Sequence, residues 1–190
     1  MTTDPVLDLD AYFARVGYTG PRAATLETLR TLHAGHAASI PFENLNPLCG
    51  WPVELDADSV QKKLVLGGRG GYCFEQNLLF SGVLRALGFG VTDLAARVLW
   101  RSHTDEDVRP RTHMLLLVDL EGKPYIADVG FGGQSLTGPL RFVTDVEQST
   151  PHGPFRLLRL EGSMHEEYKL QALVGKLWKS LYRFDLQPQL

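Results

Sequence analysis

The 190-residue sequence contains only two cysteines, Cys49 and Cys73, too few for the disulfide framework of a small secreted domain. It has no basic surplus: 19 Lys and Arg stand against 22 Asp and Glu, a formal net charge of −3. No basic stripe runs along it either, which argues against a general nucleic-acid binder. No apolar run approaches the length of a membrane span. The amino terminus, Met1-Thr2-Thr3-Asp4-Pro5, is polar and acidic and lacks the basic-then-apolar pattern of a secretory signal. Internal repeats and low-complexity segments are missing. The expectation is a cytoplasmic globular protein, one large domain or two small ones sharing a core, in a compartment that keeps thiols reduced.

What is present falls into two textures. Up to residue 88 the pattern is helical. Asp8 to Val16 and Thr25 to Ala38 carry apolar residues near a 3.6-residue period, ended by Gly17 or Gly20 and by Pro41. Pro41 to Pro52 is rich in turn formers and reads as irregular, and Asp58 to Leu66 reads as a short helix. Cys73 to Leu87 is a further helix with Cys73, Phe80, Leu84 and Leu87 on one face and Asn77 among them. After Gly88 the sequence predicts strands at Val91–Trp100, His113–Val118, Tyr125–Val129, Leu140–Val143, Phe155–Leu160, Met164–Leu173 and Trp178–Phe184. The charged stretch Ser102–Arg111 reads as a loop. Helices followed by strands indicate an α+β fold, with residues 1–88 as a helical domain and 89–190 as a β domain.

The most informative segment is Arg69-Gly70-Gly71-Tyr72-Cys73-Phe74-Glu75-Gln76-Asn77. Its glycine-rich turn delivers a thiol to the first turn of a helix, where unpaired N–H groups and the dipole favour negative charge. The thiolate is the nucleophilic form of cysteine. His113 opens one apolar strand and Asp128 lies in the next, so a Cys73-His113-Asp128 nucleophilic site is the chemical expectation. A two-residue loop at Glu121-Gly122 makes paired positions sum to 243. Asp128 then lies opposite Leu115, diagonal to His113 on the same face and within side-chain reach. A sum of 241 would set the two directly opposite, and an even sum would separate them. Each residue alone also has a structural reading: a buried cysteine, a strand histidine, an aspartate capping a turn before Gly130.

Other signals carry less. His33 and His36 lie three apart on a helix without an evident third ligand, so no metal site is expected. His165-Glu166-Glu167 lacks the second histidine of a zinc-protease helix, and Gly67-Gly68-Arg69-Gly70-Gly71 lacks the Lys-Ser/Thr of a Walker loop. Cys49 reads as structural.

The segment around Cys73 resembles the active-site motif of the arylamine N-acetyltransferases. Ile40-Pro41-Phe42-Glu43-Asn44-Leu45, Thr112-His113-Met114 and Ala127-Asp128-Val129-Gly130-Phe131-Gly132-Gly133 resemble its other blocks, in the family's order. The resemblance implies a helical bundle followed by a β-barrel around a papain-like Cys-His-Asp site. It implies Cys73 as the acyl-carrying nucleophile, His113 as general base and acid, and Asp128 as the residue orienting the ring. Acetyl-CoA would acetylate Cys73, and an arylamine or arylhydrazine would then take the acetyl group, in a ping-pong route associated with xenobiotic metabolism. Gly130, Phe131, Gly132 and Gly133 are expected acyl-CoA or acceptor contacts, or a strand-ending turn. Phe42 and Phe131 are expected to line the acceptor slot, or to be plain core. Arg69 and Glu43 are expected to pair and brace the turn.

Family members continue past the segment resembling Leu181–Gln189 into a third domain. The expectation is therefore a triad that persists while transfer to amines is impaired. Competing readings are an amide synthase that closes a macrolactam, a cysteine hydrolase with water as acceptor, and a non-enzymatic binding module.

Overall fold

A computed structural model describes residues 7–102, 109–161 and 166–189. The amino-terminal pentapeptide, most of the charged stretch Ser102–Arg111, the start of the strand expected from Met164, and His165 lie outside the described residues.

Helix α1 spans Leu9–Val16. The Asp8 carboxylate caps it by accepting the Ala11 N–H, and Gly17, at φ 69°, closes it by donating to the carbonyls of Ala14 and Phe13. Helix α2 spans Leu26–Ser39; Thr25 accepts the Thr28 N–H at its start, and Ile40-Pro41 stops it. A four-residue helix, α3 (Leu45–Leu48), lies within the stretch expected to be irregular. The expected short helix is α4 (Ala57–Gln61) running into a π-helical turn, Lys62–Leu66, closed by Gly67 N–H donating to Lys62 O. Helix α5 spans Cys73–Ala86.

Among the described residues there are eight strands: β1 Gly90–Val98, β2 His113–Leu120, β3 Lys123–Ala127, β4 Leu140–Arg141, β5 Glu147–Thr150, β6 Gly153–Leu160, β7 Glu167–Val174 and β8 Leu177–Asp185. They form one antiparallel sheet in the order β4-β3-β2-β1-β8-β7-β6-β5. The sheet curls until its two ends nearly meet. There the Gln148 amide accepts the Arg141 N–H and donates to the Arg141 carbonyl, and Thr144 bridges to Leu157. The α+β expectation of a helical bundle followed by a barrel holds.

Two apolar cores sit on either side of β2. Met114, Leu116 and Val118 pack with Leu79, Phe80 and Leu84 of α5, whereas Leu115 faces the barrel interior with Leu94, Leu157 and Leu170. A strand buried on both faces needs a continuous apolar run, which Met114–Val118 supplies. The docking of α5 on β2 therefore joins the element carrying Cys73 to the one carrying His113.

β3 ends two residues earlier than expected, and the reason bears on the site. The N–H groups of Asp128, Val129 and Gly130 leave the ladder and bond to His33 Nε2, Asn77 Oδ1 and Asp128 Oδ1. The Asp128 segment is thus held by side chains from the helices.

Candidate active site

Cys73 is the first residue of α5, and the turn before it is pinned from several sides. Phe42 and Gly71 form a parallel bridge, with the Glu43 N–H donating to the Gly71 carbonyl at 3.0 Å. The Gln76 amide nitrogen reaches back to the carbonyls of Ile40, Pro41 and Gly71 at 3.3, 2.9 and 3.2 Å. A Cβ on Gly70 would lie 2.0 Å from the Pro41 carbonyl oxygen, so this close backbone approach requires glycine. Glu75, nearly fully buried, accepts the Tyr72 N–H at 3.0 Å and pairs with Lys63 at 2.7 Å. Arg69 pairs with Glu43 at 2.6 Å, as expected, and Lys63 lies 3.8 Å from the same carboxylate. Burial would raise the Glu43 pKa; the Leu45 N–H and the Arg69 and Lys63 cations outweigh it and hold the carboxyl below its usual range.

The β2–β3 hairpin adopts the register that sums to 243: Leu116 opposite Ala127 and Leu120 opposite Lys123. Asp128 follows directly, and its Oδ2 lies 2.7 Å from His113 Nε2. Three more donors converge on this fully buried carboxylate: Tyr182 hydroxyl to Oδ2 at 2.9 Å, Asn77 Nδ2 to Oδ1 at 3.0 Å, and Gly130 N–H to Oδ1 at 2.9 Å. Burial opposes ionisation of Asp128, but the His113 charge and these hydrogen bonds prevail and hold its pKa below the ordinary value. Burial would likewise depress His113. The Asp128 charge and hydrogen bond outweigh it and, with the hydrogen bond to Cys73, push the ring up to about 9. Nε2 faces Asp128, which leaves Nδ1 for the sulfur. In the resting arrangement the Cys73 thiol donates to the Thr112 carbonyl at 3.5 Å.

Cys73 and His113 line a cleft of about 820 Å³ together with Phe42, Tyr72, Thr112, Val98, Trp100, Arg101, Gly130, Phe131, Gly132 and Gly133, a size suited to small-molecule ligands. All the expected contact residues thus meet in one place. Phe42 is 47% exposed and rests against Gly132, whose φ is 86°, so it is not plain core. Phe131 stands edge-on to the His113 ring at 5.1 Å. Cys49, by contrast, is exposed and lies outside this cleft.

Sequence reasoning missed Tyr182, Gln76 and the pairing of Lys63 with the buried Glu75, and saw Asn77 only as a residue on the buried face. Tyr182 reaches Asp128 because β8 pairs with β1, Val98 opposite Tyr182, a link across more than eighty residues. Two adjacent amides, Gln76-Asn77, inside a helix that buries most of its surface, were the available signal for the other two, since buried amides need partners.

A family model described as N-acetyltransferase matches residues 25–190. The chain is 50% identical over 181 residues to the arylamine N-acetyltransferase of Escherichia coli (strain K12), covering 95% of this chain and 62% of that protein. It is 47% identical over 187 residues to that of Mycobacterium tuberculosis (strain H37Rv), covering 96% of this chain and 64% of that one. Among solved structures, the arylamine N-acetyltransferase from Salmonella typhimurium superimposes with a TM-score of 0.89 at 48% identity, over 96% of this chain and 64% of that one. That of Mycobacterium marinum in complex with CoA gives 0.90 at 42% identity, over 96% and 66%. The chain spans less than two thirds of the length of these relatives. Over the span it does cover, motif order, fold and identity agree, and the chain belongs to the arylamine N-acetyltransferase family.

Proposed function

We propose that the protein transfers an acetyl group from acetyl-CoA to the nitrogen of an arylamine or arylhydrazine through an acetyl-Cys73 intermediate. The observation that carries this reading is a thiol and an imidazole side by side in an open cleft, the imidazole held from behind by a buried carboxylate with four donors. We assign Cys73 as nucleophile, His113 as base and acid, and Asp128 as the group that orients the ring and stabilises its protonated form. Residues 1–88 are read as the domain supplying the thiol and 89–190 as the one supplying His113 and Asp128. A reducing cytoplasmic location, consistent with two free cysteines, keeps the thiol active.

In the first half-reaction the sulfur, its proton held by His113 Nδ1, attacks the thioester carbonyl. The carbon–sulfur bond to CoA breaks, and the departing thiolate takes the proton back from His113. In the second, the amine nitrogen attacks acetyl-Cys73, its proton passes to Nδ1, and the Cys73 thiolate leaves. Two thioester-level steps replace one direct transfer. The Cys73 N–H at the start of α5 is a natural donor to the developing oxyanion. The aromatic faces of Phe42 and Phe131 suit a flat acceptor, and the Gly130, Gly132 and Gly133 backbone lets the thioester lie close.

Intact-protein mass after brief exposure to acetyl-CoA tests this. One acetyl adduct is expected in the wild type and none in Cys73→Ala, and a chase with an arylamine should remove it as N-acetyl product. Free acetate as the sole product would identify a hydrolase instead, and no adduct on the folded protein would refute the reading.

A further inference from the structure

Two buried histidines stand outside this chemistry. His33 and His36 of α2 are fully buried, and both rings meet Phe80 edge-on, at 5.6 and 5.4 Å. His33 Nε2 accepts the main-chain N–H of Asp128 at 3.2 Å. Its hydrogen therefore sits on Nδ1, which has no hydrogen-bond partner among the described residues. His36 Nε2 meets Gln76 Oε1 at 2.7 Å, and its Nδ1 meets the Tyr12 hydroxyl at 3.0 Å. The Gln76 nitrogen is committed to three carbonyls, so Gln76 Oε1 is the acceptor and His36 carries its hydrogen on Nε2.

A stranded, buried N–H is costly, and an apolar residue packed on Phe80 would avoid it. What such a residue could not do is accept the Asp128 N–H. We propose that α2 aligns both arms of the reacting site: His33 is a positioning residue that fixes the Asp128 main chain, and His36, through Gln76, fixes the Gly71 turn ahead of Cys73. This rests on Cys73, His113 and Asp128 being the reacting set. A neutral ring suits the task at position 33, because it holds the N–H without placing a second negative charge beside the carboxylate. Both rings are kept neutral mainly by burial, His33 pushed down to about 3 and His36 to about 4. Around His33 the ionisable neighbours are Asp128 and His36; around His36 they are His33, Arg15 of α1 and Tyr12.

Site-resolved alkylation of Cys73 by iodoacetamide, followed against pH, tests the His33 arm. The rate reports sulfur activated by His113, with Asp128 and Tyr182 as the ionisable groups facing that ring. His33→Asn puts its amide where Nδ1 stood, short of the Asp128 N–H, while His33→Gln puts an acceptor where Nε2 stood. Expected is a shift of the acid limb to higher pH by about one unit in His33→Asn, a roughly tenfold slower rate there, and recovery in His33→Gln. Leu29→Ala, in the same helix, should lower the melting temperature without moving the limb. If His33→Asn does not fold, His33→Leu, which accepts nothing, carries the same expectation. A His33→Asn profile superimposed on the wild type, or a His33→Gln profile shifted as far as His33→Asn, overturns the proposal. A His113→Gln variant in which Cys73 keeps its wild-type profile overturns the underlying reading and this proposal together.

Discussion

Gly130 lies against Cys73 with no room for a side chain. A Cβ there would sit 2.8 Å from the Cys73 Cα, 2.9 Å from its carbonyl oxygen and 2.7 Å from Asn77 Nδ2. All three neighbours are backbone or a fully bonded amide, so none yields easily. Gly130→Ala must push the segment carrying Asp128 away from α5. Overpacking of this kind costs about 1–3 kcal/mol, while a displacement near 1 Å at reacting groups costs about a hundredfold in rate. The expected outcome is a modest fall in melting temperature with a far larger loss in the rate of Cys73 acetylation. Near-normal acetylation would show that this contact does not set the geometry.

Asn77 ties three chain segments together. Its Nδ2 donates to Met114 O and Asp128 Oδ1, and its Oδ1 accepts the Val129 N–H. Asn77→Leu fills the space and leaves the Met114 carbonyl and the Val129 N–H buried without partners, at about 1–3 kcal/mol each. Urea unfolding should register a loss of about 2–6 kcal/mol on that basis. A loss well below this range would mean that the backbone finds other partners.

Much of this site was legible because its logic is local. The period-two alternation and the Glu121-Gly122 turn carry the hairpin register, and with it the His113–Asp128 pairing. Capping residues Asp8 and Thr25 mark helix starts as their chemistry requires. The features that escaped depend on non-local pairing or lack an apolar signal. β5, Glu-Gln-Ser-Thr, is a polar edge strand. α3 contains a proline, whereas β4, expected at Leu140–Val143, is present and ends after Arg141. Tyr182 is one aromatic in an alternating strand until β8 meets β1. Asp128 leaving its strand is a tertiary effect, since its N–H finds a better-placed acceptor on α2.

The pH dependence of stability should bend on both sides of pH 6.5. The folded pKa of His113 is raised to about 9, so its contribution is complete below 6.5 and fades as pH rises through about 9. His33 and His36 are depressed to about 3 and about 4. The unfolded chain then binds protons that the folded one refuses, and stability falls as pH drops from 6.5 towards 4. Melting temperatures across pH 4 to 10 should peak near neutrality, and the gap between wild type and His113→Gln should narrow from pH 6.5 to 9. A constant gap would mean that the imidazolium–carboxylate pair is not what holds His113.

The Lys63–Glu75 pair beneath the Cys73 turn gives the sharpest test of how that turn is supported. Lys63 comes from the π-helical turn, Glu75 is nearly fully buried, and the same carboxylate holds the Tyr72 N–H. Removing the cation alone, as in Lys63→Met, strands a buried carboxylate and should cost about 3–5 kcal/mol. In Lys63→Met/Glu75→Gln the amide oxygen still accepts the Tyr72 N–H and no charge is left unpaired. The double variant should therefore be more stable than Lys63→Met, with a coupling of about 1–3 kcal/mol in a double-mutant cycle by urea unfolding. Cys73 acetylation should recover in parallel, because the backbone contact and not the ion pair is what the turn needs. Additive losses would mean instead that charge at this position supports the turn directly.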